Sequence, residues 1–427
     1  MIILLLSLVV FLVIGVPVAY SLGLSAFTYF MMVQPDIMHV LPQRLFSGME
    51  SYALIALPLF ILMGQVMNEG GITARLIQFC LMFVGRFRGG LGLVNVGSSM
   101  LFGGISGSST SDTASIGSVL IPEMERRGYP KPFAAGLTVA SSTMGMIIPP
   151  SAMLIIYSFV SEQSVGDMFL AGIVPGLILT AAYISWIFIS GYLRPSYIGK
   201  NIDKAFERPL SLSELMDKTV PIVALIMLVL GGIYTGWLTP VEAGASGALF
   251  SVIIAVLRRR MTWRGLWETA IETGHITASI LFLIAMASLY SRMLGYAGLP
   301  NELDAFLQQR NFGFIEVMII YVLLMLFLGT ILDTASIILI VVPLFITLME
   351  TMGMNLVWFG IITVIGAEIG LLTPPLGISC FVIKASLNDP EVSLKDVFFG
   401  AFPFAMIMLL VLIFLIAFPV LSIGILS

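Results

Sequence analysis

The chain predicts an all-α polytopic membrane protein made of two inverted-topology repeats, each with a re-entrant helical hairpin and a proline-broken transmembrane helix. Three observations carry that prediction. Of 427 residues, 59% are hydrophobic and only 10% are charged, against roughly 25% charged in soluble domains. Asp112-Thr113-Ala114-Ser115-Ile116 recurs as Asp333-Thr334-Ala335-Ser336-Ile337, and a proline lies ten residues beyond each Asp, at Pro122 and Pro343. A Gly-x-x-x-Pro-Pro then follows in both halves, Gly145 to Pro149-Pro150 and Gly370 to Pro374-Pro375. Three matches in one order at near-constant separation indicate an internal duplication. A duplicated, helix-breaking polar motif inside membrane-grade sequence points to a transport site at a repeat interface.

The elements follow in order. A span across a ~30 Å hydrocarbon core takes about 20 apolar residues, and segments 1–31, 52–68, 133–158, 168–193, 219–237, 243–257, 267–297, 355–384 and 398–424 qualify. Segment 1–31 has no basic leading region and no small-residue cleavage site, so it is expected to stay as a first helix. Segment 72–86 is shorter and fits a tilted span or an interfacial arm. Regions 91–127 and 312–350 are apolar but interrupted midway, by Gly103 to Asp112 and by Gly329 to Thr334. Their halves of roughly 14 to 17 residues would be about 21–26 Å long as helices, which is marginal for crossing. Each region is therefore expected to enter and leave the membrane on one side.

Basic residues orient the chain. With both ends of hairpin 91–127 cytoplasmic and both ends of hairpin 312–350 external, the 20 Lys and Arg divide unevenly. Arg75 and Arg310 lie outside, Arg292 lies within a span, and the rest lie inside. The positive-inside rule thus supports two oppositely inserted hairpins and two external termini. The charged stretch 194–218 divides the repeats, 1–210 and 211–427. Weaker matches extend the duplication: Gly15-Val16-Pro17 with Gly236 to Pro240, and Gly70-Gly71-Ile72 with Ala297-Gly298-Leu299, which sets Gln65 against Arg292.

The polar residues at the breaks are the candidate site. Ser106, Ser108, Ser109, Thr110, Ser111 and Asp112 crowd the first tip, and Gly329, Thr330 and Asp333 the second. A helix break leaves carbonyl and N–H groups unpaired, tolerated at membrane depth only when they are buried in protein or line a polar cavity. Oxygens beside a carboxylate suit Na+, and half-helix N-termini suit an anion. Pro149-Pro150 and Pro374-Pro375 should break the next spans, placing Thr143, Gly145, Gly366 and Gly370 near unwound backbone, where they would complete each ion site. Arg292 is the basic residue inside a span, a costly placement that calls for a partner or a cavity. It suits a substrate carboxylate, with Ser108, Ser109, Pro150 and Ser151 beside it, or an internal ion pair with Glu368 or Asp333. Glu368, six residues before Pro374, fits a cation ligand, a proton carrier or the partner of Arg292.

Other classes are disfavoured. Cys80 and Cys380 lie in separate apolar runs, and His39 and His275 lack metal-ligand spacing. There is no phosphate-loop motif, and a net charge of −4 without a basic aromatic patch excludes nucleic acid as a partner. Two Asp-Thr-Ala-Ser copies resemble aspartic-protease signatures, but such a dyad must share a proton, and these two sit in opposed hairpins. No enzymatic activity and no organic cofactor are expected.

At these residues the chain resembles the large membrane subunit of TRAP (tripartite ATP-independent periplasmic) transporters. The matching stretches are LPLFILMGQVMNEGGI at 57–72, LFGGISGSSTSDTASIGSVLIPEMERRGY at 101–129, GMIIPPS at 145–151, GWLTPVEAG at 236–244, GTILDTAS at 329–336 and EIGLLTPPLG at 368–377. The resemblance implies an elevator-type architecture in the bacterial inner membrane and Na+-coupled uptake of an organic acid such as a sialic acid or a C4-dicarboxylate. It also implies a small four-helix membrane subunit and a periplasmic substrate-binding protein as partners. Family ion sites lie at the hairpin tips and facing broken helices, here Ser106 to Asp112 with Thr143 and Gly145, and Gly329 to Asp333 with Gly366 and Gly370. A stand-alone Na+- or H+-coupled anion symporter is the alternative.

Overall fold

Glycine and proline set most helix boundaries in this chain, and small polar caps set the rest. The computed structural model describes residues 2–33, 35, 43, 45–46, 49–85, 87, 89–106, 109–197, 220–310, 312–387 and 392–426; the repeat boundary at 210–211 lies outside them. The regular elements among these residues are all helices, with no strand among them. Among the described residues, six helices are long and apolar enough to cross a membrane.

The first apolar stretch is two helices and not one. α1 (Ile2–Val13) stops at Gly15, whose φ is +88°, and α2 (Val18–Val33) starts after Pro17. The pair is antiparallel: Ser25 Oγ donates to the Leu4 carbonyl at 2.6 Å and lies 2.7 Å from Ser7 Oγ. Sequence hydropathy merged them because the turn contains no charge. α3 (Ala56–Glu69) follows, then a left-handed Gly71 at φ +68° starts the short α4 (Ile72–Val84). Its thirteen residues reach about 20 Å, and the short helix after the left-handed Gly298 in the second half matches it, which favours the arm for segment 72–86.

Packed helix pairs fall at the two segments expected as hairpins. α5 (Gly90–Ser106) packs on α6 (Ser109–Arg126), which contains Pro122. α7 (Lys131–Met144) and α8 (Ala152–Ser161) are the two parts of the broken helix, split around Pro149-Pro150, and α9 (Val165–Leu193) closes this half. Ser151 caps α8 and Ser164 caps α9, each accepting from a backbone N–H of the first turn. Such caps stabilise a helix by about 1 kcal/mol.

The second half repeats this series. α10 (Val220–Tyr234), α11 (Pro240–Leu257) and α12 (Trp263–Tyr296) lead to a left-handed Gly298 at φ +74° and the short α13 (Leu299–Gln309). A Thr239–Glu242 capping box starts α11. Hairpin helices α14 (Phe314–Gly329) and α15 (Thr334–Thr351, containing Pro343) precede the broken pair α16 (Leu356–Leu371) and α17 (Ile378–Leu387). The break contains Pro374-Pro375, and the long α18 (Leu394–Ala417) and short α19 (Val420–Ile423) end the chain.

Packing sorts the helices into two groups. α1 to α3 pack with α11 and α12, and α10 packs on α11. The hairpins and broken helices interlock across the halves: α8 against α15, α6 against α17, α7 against α18 and α9 against α16. Tyr157 Oη on α8 donates to the Leu356 carbonyl at 2.6 Å, and Trp358 Nε1 on α16 to the Leu415 carbonyl at 3.0 Å. Contacts between the groups are concentrated at α3–α5 and α12–α15, beside the hairpins.

Candidate functional site

The breaks converge on one cavity of about 680 Å³ between the two packing groups. One wall comes from the hairpin group: Ser109, Thr110 and Ser111 in the first turn of α6, Asp333 and Thr334 at the start of α15, Met146 in the α7–α8 break, and Glu368 on α16. The opposite wall comes from α3, through Ile61, Gly64 and Gln65, and from α12, through Glu272, Ile276, Ser279, Ile280 and Leu283. Hairpin tips far apart in sequence thus meet, because each half's broken helix packs on the other half's hairpin.

The side-chain charge of this cavity is all negative. Three carboxylates line it, Glu272, Asp333 and Glu368, and no Lys, Arg or His is among the lining residues. Positive potential comes instead from the N-terminal turns of α6 and α15, whose backbone N–H groups carry partial positive charge. Asp333 caps α15, its Oδ2 accepting from Ser336 N at 3.1 Å. Thr334 Oγ1 donates to Glu368 Oε1 at 2.7 Å, which ties α15 to α16. Glu368 is fully buried, and its Oε2 has no hydrogen-bond partner.

Asp112 lies behind the first tip. The matched sequence suggested equivalent places for the two aspartates, yet Asp333 caps its helix while Asp112 lies inside the first turn of α6. Asp112 is 0% exposed, and neither carboxylate oxygen has a partner meeting hydrogen-bond geometry; Ser142 and Ser99 are the hydroxyls beside it. Ser99 Oγ is also without a partner, as are Thr113 Oγ1, next to Asp112 in the chain, and Ser141 Oγ, next to Ser142. Buried unpaired oxygens of this kind are expensive, and a compact hard cation is a chemical match for them.

Glycines define where the backbones cross. A Cβ on Gly103 would lie 2.5 Å from Gly145 Cα and 3.4 Å from Asp112 Oδ2, and one on Gly329 would lie 2.7 Å from Gly370 Cα. Each hairpin's first helix therefore crosses the end of the following broken helix with no room for a side chain. Gly145 and Gly370 were expected near ion sites, and the crossing adds a packing requirement. Gly145→Ala or Gly370→Ala should lower stability by about 1–3 kcal/mol through overpacking, read as a lower unfolding midpoint in detergent. An unchanged midpoint would argue against the crossing.

The other expected site residues divide. Ser109 lines the cavity. Ser108 lies outside the described residues, and Ser106 ends α5. Ser151 is buried as the cap of α8, donating to the Met146 carbonyl, and neither it nor Pro150 lines the cavity. Thr143 Oγ1 donates to the Ala140 carbonyl at 2.8 Å, deeper in the hairpin group. Thr330 caps the end of α14 and its carbonyl accepts from Gly377 N at 3.2 Å, while Gly366 faces Met325 of α14.

Arg292 does not line the central cavity. It opens onto a second cavity of about 400 Å³ with Ser288, Ser291, Glu162, Phe159, Leu339 and Pro343. From Leu283 to Arg292, α12 climbs about 13 Å at 1.5 Å per residue, which separates the two. Arg292 forms no ion pair among the described residues, so neither Glu368 nor Asp333 is its partner in this structure. Sequence reasoning missed Glu272 and Gly103. A lone carboxylate in the apolar run 267–297 was a usable signal for the first; nothing in a single chain marks the second as a crossing.

Apolar spans around a cavity of substrate size, walled by polar helix breaks, define a multi-pass membrane transport protein. The chain belongs to the family described as tripartite ATP-independent periplasmic transporter, DctM component, which it matches over residues 5–421. It is 36% identical over 409 residues to the C4-dicarboxylate TRAP transporter large permease protein DctM of Pseudomonas aeruginosa, covering 95% of this chain and 93% of that one. It is 30% identical to the sialic acid TRAP transporter large permease protein SiaM of Vibrio cholerae, over 95% of this chain and 93% of that one. The 2,3-diketo-L-gulonate TRAP transporter large permease protein YiaN of Escherichia coli is also 30% identical, over 95% and 94%. Among solved structures, the Alcanivorax borkumensis YdaH transporter shares the fold, with a TM-score of 0.70 at 14% identity over 99% of both chains.

Proposed function

We propose that this chain is the large membrane subunit of an importer that couples a Na+ gradient to uptake of a small organic acid. One observation carries the reading: the central cavity offers an anion two helix N-termini, hydroxyls and three carboxylates, and no basic side chain. An acid bound there needs its charge offset by cations that arrive with it. Asp112, with Ser106, Ser108, Thr143 and Gly145 around the first tip, and Asp333, with Gly329, Thr330, Gly366 and Gly370 at the second, are the residues proposed to hold them. The unpartnered oxygens of Asp112 support the first of these sites.

Transport proceeds by an elevator-type movement in inverted repeats. The repeated series α5–α9 and α14–α18 supports the duplication, and the two packing groups meeting at the cavity support a mobile body against a scaffold. Splitting the first stretch into α1 and α2 brings Arg75 inside, so basic residues remain in large excess inside and both termini stay periplasmic. The partners are a small four-helix membrane subunit and a periplasmic binding protein that delivers the substrate, in the inner membrane of a bacterium. The relatives name C4-dicarboxylate, sialic acid and diketogulonate carriers, and the substrate belongs to that range of carboxylates.

The test is uptake of labelled succinate and labelled sialic acid into proteoliposomes carrying this chain and its small subunit, under an inward Na+ gradient, with and without the binding protein. Uptake that needs both is expected. Uptake without the binding protein would make the chain a stand-alone symporter, and Na+-independent uptake would overturn the coupling.

A further inference from the structure

The outer cavity at Arg292 is related to the central cavity by the duplication itself. α3 and the last part of α12 end in matched turns, with Gly71 and Gly298 both left-handed, each followed by a short helix. The register that sets Gly71 on Gly298 sets Ile61 on Ser288, Gly64 on Ser291 and Gln65 on Arg292. Ile61, Gly64 and Gln65 are the α3 residues that line the central cavity, and Ser288, Ser291 and Arg292 line the outer one. Both cavities also lie along the seam between α12 and α15. Asp333 and Thr334 face the central cavity, and Leu339 and Pro343, further along α15, face the outer one.

In an inverted repeat, the scaffold surface that faces the substrate on one side of the membrane has its counterpart facing it on the other. We propose that Ser288, Ser291 and Arg292 are the scaffold wall of the substrate site in the outward-facing state, where the Arg292 guanidinium binds the substrate carboxylate. This rests on the alternating-access reading above. Raising the hairpin group along α12 by about 13 Å, the climb from Leu283 to Arg292, carries the Asp333–Thr334 turn from the central cavity toward the outer one. Ser288, Ser291 and Arg292 lie at i, i+3 and i+4, hence on one helix face. The guanidinium, in no ion pair here, presents five donors to a carboxylate. Glu162 across the same cavity accepts from hydroxyl or amine groups elsewhere on the substrate.

The duplication is broken at one chemically decisive place. The inward counterpart of Arg292 is Gln65, which carries no charge. The scaffold therefore adds a cation to the site when the acid is captured and withdraws it when the acid is released. Affinity is expected to be higher outside than inside for a reason located in two residues.

The experiment uses the whole complex in proteoliposomes of uniform orientation, with labelled succinate and sialic acid as probes. Arg292→Gln should raise the external concentration giving half-maximal Na+-driven uptake by about 10- to 100-fold, the range of one charge-assisted contact. It should leave the internal concentration giving half-maximal counterflow unchanged, which also shows that the variant is folded. Gln65→Arg should lower that internal concentration and slow release. Arg292→Gln shifting both sides equally, or neither, would overturn the proposal while leaving Na+-driven transport standing. A wild type that shows no Na+-driven uptake would remove the transport reading and this one with it. Should Arg292→Gln fail to assemble, Ser291→Cys decides: a membrane-impermeant thiol reagent should label it from outside, more slowly with Na+ and substrate present. Labelling indifferent to substrate would count against the site.

Discussion

Asp112→Ala is expected to abolish Na+-driven uptake without weakening the fold. Most buried carboxylates cannot be deleted safely, because their hydrogen-bond donors are left unpaired. Asp112 is different: it is fully buried, yet neither oxygen has a protein partner in hydrogen-bond geometry. Its removal leaves no backbone donor stranded, only the Ser99 hydroxyl beside it, and takes a poorly compensated charge out of the interior. In Na+-free buffer, the variant should therefore unfold at the same temperature as the wild type or a higher one. Adding Na+ should raise the wild-type midpoint, since an ion that binds only the folded state stabilises it. The variant should show no such rise. Losing a charged ligand worth about 3 kcal/mol weakens ion binding by roughly 100-fold, enough to bring uptake to background at ordinary Na+ concentrations. An equal Na+-dependent rise in both proteins would remove Asp112 from the ion site.

The chain announced its breaks more clearly than its crossings. Ten-residue spacings from Asp112 to Pro122 and Asp333 to Pro343, and the paired prolines at 149–150 and 374–375, were legible because glycine, proline and aspartate constrain backbone locally. Hairpin limits came within a few residues of the observed helices for the same reason. The turn at Gly15 was passed over because hydropathy is blind to a tight apolar turn without charge. The first tip was drawn too wide, Gly103 to Asp112, since a run of small polar residues reads as loop; α5 instead continues to Ser106, where Gly103 can meet Gly145. Such an approach is a property of two helices together, and neither segment encodes it alone. Arg292 stands out in the sequence as the basic residue within a span, but its distance from Asp333 depends on how α15 packs along α12.

Asp333 separates two duties that Asp112 does not combine, and its variants should divide accordingly. Its carboxylate accepts from Ser336 N at 3.1 Å as the cap of α15, and the same side chain faces the central cavity. Asparagine is as good a cap as aspartate, so Asp333→Asn should keep the stability of the hairpin while removing the charge. Na+-driven uptake should then need at least about 10-fold more Na+ for half-maximal rate, the effect of losing a charged ligand in a partly solvated site. Asp333→Ala should lose uptake to the same degree and, in addition, about 1 kcal/mol of stability from the missing cap. The adjoining Thr334 supplies the control. Thr334→Val removes the hydroxyl that donates to Glu368 at 2.7 Å and leaves both oxygens of that buried carboxylate without a partner. It should therefore destabilise by about 1–3 kcal/mol with no change in charge at the tip. If Asp333→Asn keeps wild-type Na+ dependence, the Asp333 carboxylate is not a Na+ ligand and serves only to start the helix.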